Sequence, residues 1–119
     1  MSFRIAEKQA LKSTFHKHRV GAVIMKGNRV LSTGFNSIRY SKETKLPTQH
    51  AEAAAIVKLL KGDRPHDLVG STLYVTRFTR AGRVSCAKPC PACSGLIRAV
   101  GINTVRYTTF DGTVEEIKL

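Results

Sequence analysis

Residues 72–108, TLYVTRFTRAGRVSCAKPCPACSGLIRAVGINTVRYT, decide the fold of this chain. The β-branched and aromatic runs at 72–76 and 104–108 predict two short strands. Between them, residues 91–100 have the apolar spacing of a helix, which stops at Gly101. A strand, a helix and a strand in series imply a right-handed crossover between parallel strands. The segment therefore predicts an α/β architecture.

The part of the chain before this segment predicts two more helices and a hairpin. Apolar residues recur at helical spacing over residues 3–15. Two strands follow at 20–25 and 29–35, and the turn-forming residues 26–28 join them as a hairpin. A nearly all-apolar run at about 49–61 predicts a helix that is buried on most sides.

Turn and capping signals delimit the remaining elements. Thr48 is the candidate N-cap of the apolar helix and Gly62 its candidate stop, after a polar loop over residues 36–49. Asp111-Gly112 is a strong hairpin signal into a last strand at 114–117. The hairpin leaves no room for another helix, so the last strand is expected to be antiparallel.

The predicted order of elements is αββαβαββ. We therefore expect a mixed five-stranded sheet flanked by about three helices, with helices on both faces. With 119 residues, of which 42% are hydrophobic, the chain has room for one domain around one core, expected over residues 1–119. No apolar run approaches the roughly 20 residues of a membrane-spanning helix, and charges interrupt the N-terminal segment. We expect a soluble, cytoplasmic protein that does not contact membranes.

The net charge indicates which classes of partner the chain can bind. Twenty Lys and Arg face eight Asp and Glu, which gives a net charge of +12. One explanation of such an excess is solubility alone, since like charges on different molecules repel one another. The excess is also typical of a partner rich in phosphate, either a nucleotide or a nucleic acid, and charge alone does not separate those two.

Two of the three cysteines, Cys90 and Cys93, predict half of a metal site. Pro91 fits the first helical position and Cys90 the N-cap, so both thiols lie on one face of the first turn. The positive end of a helix dipole favours thiolate there. The alternative is a redox pair of the thioredoxin type, which normally follows an early strand of a different topology and has a tryptophan neighbour, and this chain has no Trp.

A zinc site needs a further ligand, typically His. Of the four histidines, His16 and His18 lie in a basic connector and His66 in a surface loop. His50 stands at the start of the apolar helix, beside the acid Glu52. Burying an acid in such a helix is costly unless the acid has a task. Residues two apart are about 200° apart around a helix, so one side chain can bind a metal while the other reaches a group beside it.

Together, His50-Ala51-Glu52 and Pro89-Cys90-Pro91-Ala92-Cys93 resemble the known H-x-E…P-C-x-x-C signature of the zinc-dependent cytidine deaminase superfamily. The stretches at 20–23, 34–36 and 73–76 are similar to the branch of deoxycytidylate and tRNA-specific adenosine deaminases. Two features depart from that branch. A basic segment, residues 77–88, precedes the cysteines, and the last strand resembles that of free-nucleoside cytidine deaminases.

The resemblance implies a three-layer cytidine deaminase-like fold and a set of site residues. His50, Cys90 and Cys93 would hold one Zn²⁺, with a water or hydroxide as the fourth ligand, and Glu52 would move protons. Asn36 matches a position that hydrogen-bonds the substrate. The remaining candidates for substrate contact are Ala51 and Phe35, and either Val23 or Phe35 is a candidate wall of the pocket.

Two interpretations of neighbouring residues remain open. Cys86 is a candidate fourth metal ligand, which would make the site closed and structural. The basic segment is either a two-stranded protrusion with solvated charges or a grip on substrate phosphates. The candidate phosphate-binding residues are Arg39, Arg77, Arg80, Arg83 and Lys88, with Lys42 and Lys45.

The sequence thus favours hydrolytic deamination of cytosine to uracil in a nucleoside or a nucleotide such as deoxycytidylate. Deamination of cytosine or adenine in single-stranded DNA or tRNA is the closest alternative, which the high charge favours. A non-catalytic relative that binds nucleic acid with the same zinc scaffold is a third hypothesis, and Glu52 argues against it. Assembly into a homo-oligomer is also open.

Overall fold

The computed structural model describes residues 2–13, 18–37, 50–62 and 65–119. Its helices are α1 (Ser2–Ala10), α2 (Ala51–Leu60) and α3 (Pro91–Ala99), with a 3₁₀ turn at Pro65–Leu68. Its strands are β1 (His18–Lys26), β2 (Arg29–Phe35), β3 (Thr72–Thr79), β4 (Val84–Ser85), β5 (Thr104–Thr108) and β6 (Val114–Lys118). No helix within these ranges is long and apolar enough to cross a membrane.

The strands form one mixed sheet in the order β2-β1-β3-β5-β6. The crossover from β3 through α3 to β5 joins parallel strands, as predicted. The last strand, β6, is antiparallel to β5, which is also confirmed. The sixth strand, β4, lies outside this order and pairs with the end of β3. It is an addition to the five strands that the sequence predicts.

Two glycines allow helices to pack closely on opposite faces of the sheet. A Cβ atom at Gly21 would lie 1.8 Å from the carbonyl oxygen of Ala6 in α1. A Cβ atom at Gly34 would lie 2.5 Å from the carbonyl oxygen of Ala51 in α2. Both glycines belong to the β1–β2 hairpin, with Gly34 opposite Ala22 in the register. The helices therefore flank the sheet on both sides, which gives the expected three layers.

The larger part of the core lies on the α2 side of the sheet. Ala22, Ile24, Leu73 and Val75 from the central strands pack there with Ile56 of α2. Completely burying an aliphatic side chain of this size contributes about 1.5–3 kcal/mol. This core includes Cys93, which is completely buried. The hydrophobic core therefore extends to the predicted metal site.

Three element boundaries differ from the sequence prediction. Helix α1 ends at Ala10, and only turn residues follow to Ser13, so the predicted end at residue 15 was too late. The N-cap of α2 is His50 and not Thr48, because the helix begins at Ala51; Thr48 itself lies outside the described residues. Strand β3 continues to Thr79, beyond the predicted end at 76, because it pairs with the beginning of β1.

Candidate active site

The start of α2 places an imidazole ring toward α3. His50 is the N-cap, with extended backbone (φ −77°, ψ 153°), and its side chain makes no capping hydrogen bond. The ring is therefore not used to satisfy the N–H groups of the first turn. Its Nδ1 lies 3.3 Å from Sγ of Cys93 and 3.6 Å from Sγ of Cys90.

The start of α3 supplies the two sulfurs. Cys90 is the N-cap and Pro91 occupies the first turn, as the sequence predicts. The carbonyl oxygen of Cys90 accepts the first helical hydrogen bond from the N–H of Ser94, at 2.8 Å. Because no side-chain capping bond uses the Cys90 thiol, it is available on the same face as Cys93.

The three side chains fit a zinc ion. Their ligand atoms all lie within 4.8 Å of one another. In a tetrahedral site with Zn–N of about 2.1 Å and Zn–S of about 2.3 Å, the nitrogen and each sulfur are about 3.6 Å apart. The observed separations of 3.3 and 3.6 Å match this value. Two sulfurs and an imidazole nitrogen are also the donor set that zinc prefers.

The titration of the ligands supports the same assignment. Burial raises the pKa of the Cys93 thiol far above its ordinary range, and the nearby Glu52 and Cys90 raise it further. A thiolate at this position therefore requires a cation beside it. Burial lowers the pKa of His50, which keeps its ring neutral at neutral pH and so able to bind a metal.

Cys86 does not complete the cluster. It is half-buried and lies beside the same cavity, but the group of ligand atoms found among the described residues contains His50, Cys90 and Cys93 without it. The interpretation of a closed four-ligand site therefore has no geometric support. Three protein ligands are the number that catalytic zinc sites use, because one position must admit water or substrate.

Glu52 lies in the first turn of α2, in the wall of a cavity of about 110 Å³ beside the cluster. Its side chain is only 4% exposed. Burial raises the pKa of Glu52 from 4.5 to about 7. A carboxyl group that titrates near neutral pH can both accept and return a proton, which is the property required of a general acid–base.

Two of the three candidate substrate residues line this cavity. Ala51 lies next to Glu52 at the start of α2, and Asn36 lies at the end of β2. Oδ1 of Asn36 accepts the N–H of Val20 at 2.9 Å, and its Nδ2 donates to the carbonyl of His18 at 3.2 Å. Asn36 thus ties β2 to β1, and its amide retains one further N–H and one lone pair that can reach a ligand.

Phe35 and Val23 lie elsewhere. Phe35 is paired with Gly21, and a Cβ atom at Gly21 would point into α1. Partners in an antiparallel pair share a face, so Phe35 is on the α1 side of the sheet. Val23 is two residues from Gly21 and is completely buried on that same side. Neither is among the described residues that line the cavity.

The candidate phosphate residues are separated by the structure. Arg77 and Lys88 line the cavity. Arg80 lines a different groove, and Arg83 is an exposed residue of the β3–β4 turn. Arg39, Lys42 and Lys45 lie outside the described residues. The basic segment that contains Arg77 is in part the two-stranded protrusion considered above, with Arg77 opposite Ser85 and Phe78 opposite Val84.

Sequence reasoning missed three residues of the cavity wall, which are His18, Val20 and Ala87. His18 and Val20 both line it, although the sequence placed His18 in a connector. They alternate along β1 with Arg19, and alternate residues of a strand point to the same face. A strand predicted two residues earlier would have placed both of them on the side of Ala22.

Comparison with known proteins now identifies the family. The profile described as "Cytidine and deoxycytidylate deaminase zinc-binding region" matches residues 1–109. The chain belongs to this family. This deaminase is a hydrolytic enzyme of a zinc-binding family, and His50, Cys90 and Cys93 are positioned to hold a single metal ion.

Its relatives include deaminases with different substrates. The chain is 37% identical over 126 residues to the deoxycytidylate deaminase of Mycobacterium phage D29, covering 87% of this chain and 88% of the relative. It is 32% identical over 110 residues to the tRNA-specific adenosine deaminase of Aquifex aeolicus, covering 91% and 64%. Among solved structures, the dCMP deaminase of cyanophage S-TIM5 in apo form superposes with a TM-score of 0.71 at 28% identity, covering 91% of this chain and 79% of that one.

Proposed function

We propose that this deaminase converts the cytosine of a nucleoside 5′-monophosphate to uracil, with deoxycytidylate as the first candidate substrate. We also propose that residues 1–119 act as one deaminase domain. The observation that carries the substrate proposal is the composition of the cavity. Its wall contains the acid Glu52 and two of the candidate metal ligands, His50 and Cys90, together with the cationic residues Arg77 and Lys88. A nucleoside 5′-monophosphate needs both kinds of group, an acid beside the metal for its base and cations for its phosphate.

His50, Cys90 and Cys93 would hold the metal and so mark the end of the cavity at which the base reacts. When bound, Zn²⁺ lowers the pKa of water to about 7, which makes hydroxide available at neutral pH. Glu52, beside the candidate ligands, would accept one proton of the attacking water at a carboxylate oxygen. It would then donate that proton to the ring nitrogen next to the attacked carbon, accept the second proton of the water from the new hydroxyl group on that carbon, and donate it to the departing amine. Water and cytosine thus become uracil and ammonia, and Glu52 returns to its first state.

The walls of the cavity orient the base. The walls at the start of α2 and the end of β2 come from Ala51 and Asn36, and both are buried. The remaining N–H and lone pair of the Asn36 amide are suited to the polar edge of a base or to a sugar hydroxyl. Because both amide ends of Asn36 are anchored to β1, the group is held in one orientation before a ligand binds.

Arg77 is the candidate for the phosphate. Its Nε is buried and has no hydrogen-bond partner in the described structure. A buried guanidinium N–H without a partner is costly, and a phosphate oxygen would satisfy it with a charge-assisted bond. Lys88, which is exposed at the same cavity, adds a second positive charge. Similarity to the phage deoxycytidylate deaminase supports the same substrate.

Ammonia release from deoxycytidylate, cytidylate, deoxycytidine, cytidine, single-stranded DNA and tRNA tests the proposal. We expect deoxycytidylate to have the highest kcat/KM. Arg77→Gln should lower the ratio of kcat/KM for deoxycytidylate to that for deoxycytidine by about tenfold or more, because one charge-assisted bond to phosphate is lost. Arg98→Gln, which removes a charge from the exposed end of α3, is the matched control. An unchanged ratio in Arg77→Gln would refute the phosphate assignment.

A polymeric substrate is the second candidate. It is supported by the similarity to the Aquifex aeolicus enzyme and by the net charge of +12. In that case, turnover of the polymer should fall steeply with salt, because several phosphate contacts release counterions, whereas a mononucleotide should show a shallow dependence.

Sedimentation of the zinc-loaded enzyme would show whether it assembles into a homo-oligomer, which we propose as its state.

A further inference from the structure

A second concave surface lies across the sheet from the active site. We define the basic groove as the surface formed by Leu11, Arg19, Phe78 and Arg80 with the tip of the β3–β4 turn; it encloses about 300 Å³. Arg19 and Phe78 are paired in the register of β1 and β3, and they alternate with Val20 and Arg77, which line the active site. Since neighbouring residues of a strand point to opposite faces, the groove opens on the α1 side.

The groove combines apolar and cationic groups. Leu11, directly after α1, is 66% exposed and supplies an aliphatic surface. Phe78 supplies an aromatic ring that is only partly buried. Arg19 and Arg80 provide the charges. The described residues that line the groove include no acid, so these charges have no carboxylate partner among them.

The turn that carries Arg80 is ordered by its own backbone. The N–H of Thr79 donates to the carbonyl of Arg83 at 2.8 Å, and the N–H of Gly82 donates to the carbonyl of Thr79 at 2.9 Å. Gly82 adopts φ +83°, which closes the turn. Oγ1 of Thr79 also accepts the N–H of Arg83 at 3.2 Å. Arg80 is thus presented from a fixed backbone beside the aromatic ring.

The surrounding sequence extends the positive charge. No Asp or Glu occurs between Lys8 and Lys42 or between Leu68 and Phe110, and these two stretches supply β1, β2, β3 and the β3–β4 turn. A groove with positive rims and a ring for stacking is the arrangement by which proteins bind single-stranded nucleic acid without reading its sequence. An uncharged apolar ligand would make no charge-assisted contact with the two arginines.

We propose that the basic groove binds single-stranded nucleic acid, with a base stacked on Phe78 and the backbone phosphates held by Arg19 and Arg80. The groove is distinct from the catalytic cavity, because it lies on the other face of the same strands. Binding there does not depend on which substrate the enzyme deaminates. It would hold the enzyme on a nucleic acid and leave the active site free.

Fluorescence anisotropy with a fluorescein-labelled single-stranded 15-mer of thymidine tests this. Thymine has no exocyclic amine, so the probe is not a substrate and the result is independent of the proposed function. We expect the wild-type protein to bind the 15-mer with an affinity that falls as salt increases. Phe78→Leu should weaken binding about tenfold with an unchanged salt slope, because it keeps apolar bulk and loses stacking.

Charge variants complete the design. Arg80→Gln, at an exposed turn position, should weaken binding and reduce the salt slope by about 1. Lys26→Gln removes the same charge from the opposite end of β1, about 23 Å from Arg19 by strand rise, and should leave the affinity within about twofold. Thermal unfolding checks each fold, and the exposed Arg80→Gln variant suffices should Phe78→Leu fail to fold.

Three results would overturn the proposal. In the first, the wild-type protein does not bind the 15-mer. In the second, Arg80→Gln binds as tightly as the wild type, or Lys26→Gln loses as much affinity as Arg80→Gln, which would indicate diffuse charge. In the third, thymidine 5′-monophosphate competes fully at an equal nucleotide concentration, which would assign the groove to a free nucleotide.

Discussion

The catalytic cavity and the basic groove are built from the same two strands and differ in almost every other property. The cavity is small, about 110 Å³, and contains the buried acid Glu52 beside the metal ligands. The groove is larger, about 300 Å³, and is lined by an exposed leucine, a phenylalanine and two arginines. Alternation along β1 and β3 assigns each residue to one of these two surfaces.

This difference shows that the degree of burial determines which role each of the two surfaces can have. On the α2 side, the core surrounds the site, so a carboxyl group and a thiol acquire shifted pKa values that suit chemistry. On the α1 side, the strand ends extend past α1, which stops at Ala10. The side chains there remain near solvent, where they suit reversible binding and not catalysis.

The largest expected effect is on catalysis in the cavity, and it should leave binding at the basic groove unchanged. Glu52→Gln should lower kcat by about a thousandfold, because it removes the proton-transfer group and keeps the shape of the side chain. Its zinc content, measured by atomic absorption, should equal that of the wild type, and its affinity for the thymidine 15-mer should be unchanged. Cys90→Ser should lose zinc as well as activity, and Cys86→Ser is the control that retains both. Turnover by Glu52→Gln above about a tenth of the wild-type value would contradict the role of Glu52.

The next effect concerns pH and arises only on the cavity side. The pKa of Glu52 is raised by burial from 4.5 to about 7, so the folded protein holds this proton more tightly than the unfolded chain does. The contribution to stability is fully present below pH 4.5 and is lost as the pH rises through 7. At about 1.4 kcal/mol per pKa unit, the loss is about 3 kcal/mol in the zinc-free protein.

Urea unfolding of wild type and Glu52→Gln, both refolded in a chelator, measures this effect across that pH range. The variant should gain stability relative to the wild type between pH 4.5 and 7 and show a constant difference above it. A difference that does not change with pH would contradict the raised pKa. In the zinc-loaded proteins the difference should shrink, because the cation offsets the cost of the buried carboxylate.

The smallest expected effect comes from adding a methyl group at either of the two glycines against which helices pack. Gly21→Ala and Gly34→Ala each force a Cβ atom against a helix backbone, and overpacking of this kind costs about 1–3 kcal/mol. Gly34→Ala should also lower kcat, because it displaces the turn of α2 that contains Ala51 and Glu52. Gly21→Ala should lower the unfolding temperature and leave the kcat of the folded fraction near the wild-type value. Equal kcat values for the two variants would show that the position of α2 is not critical.

Much of the site could be predicted because its determinants are local. Cys90 and Cys93 lie within one helical turn, and Pro91 fixes where that turn begins. His50 and Glu52 are likewise read from the first turn of one helix. The parallel crossover and the antiparallel last strand follow from the order of the elements and from one turn signal.

The rest depends on contacts between distant residues, which no local pattern contains. The extension of β3 to Thr79 requires its pairing with His18 and Arg19, some sixty positions earlier in the chain. Whether Phe35 or Asn36 faces the cavity is a question of strand parity, and an error of one residue exchanges the two faces. The close approach at Gly34 is visible only once α2 lies on the sheet.

The burial of Cys93 has a consequence for metal exchange. One of the three ligands is a completely buried member of the hydrophobic core, so its sulfur is not reached from solvent in the native state. A chelator in the cavity can therefore compete for the metal at the half-buried His50 and Cys90, but it does not reach the Cys93 sulfur while the core is closed. We therefore expect zinc to be released more slowly than from a site whose three ligands all face solvent, and to be released faster when the packing between α2 and α3 loosens.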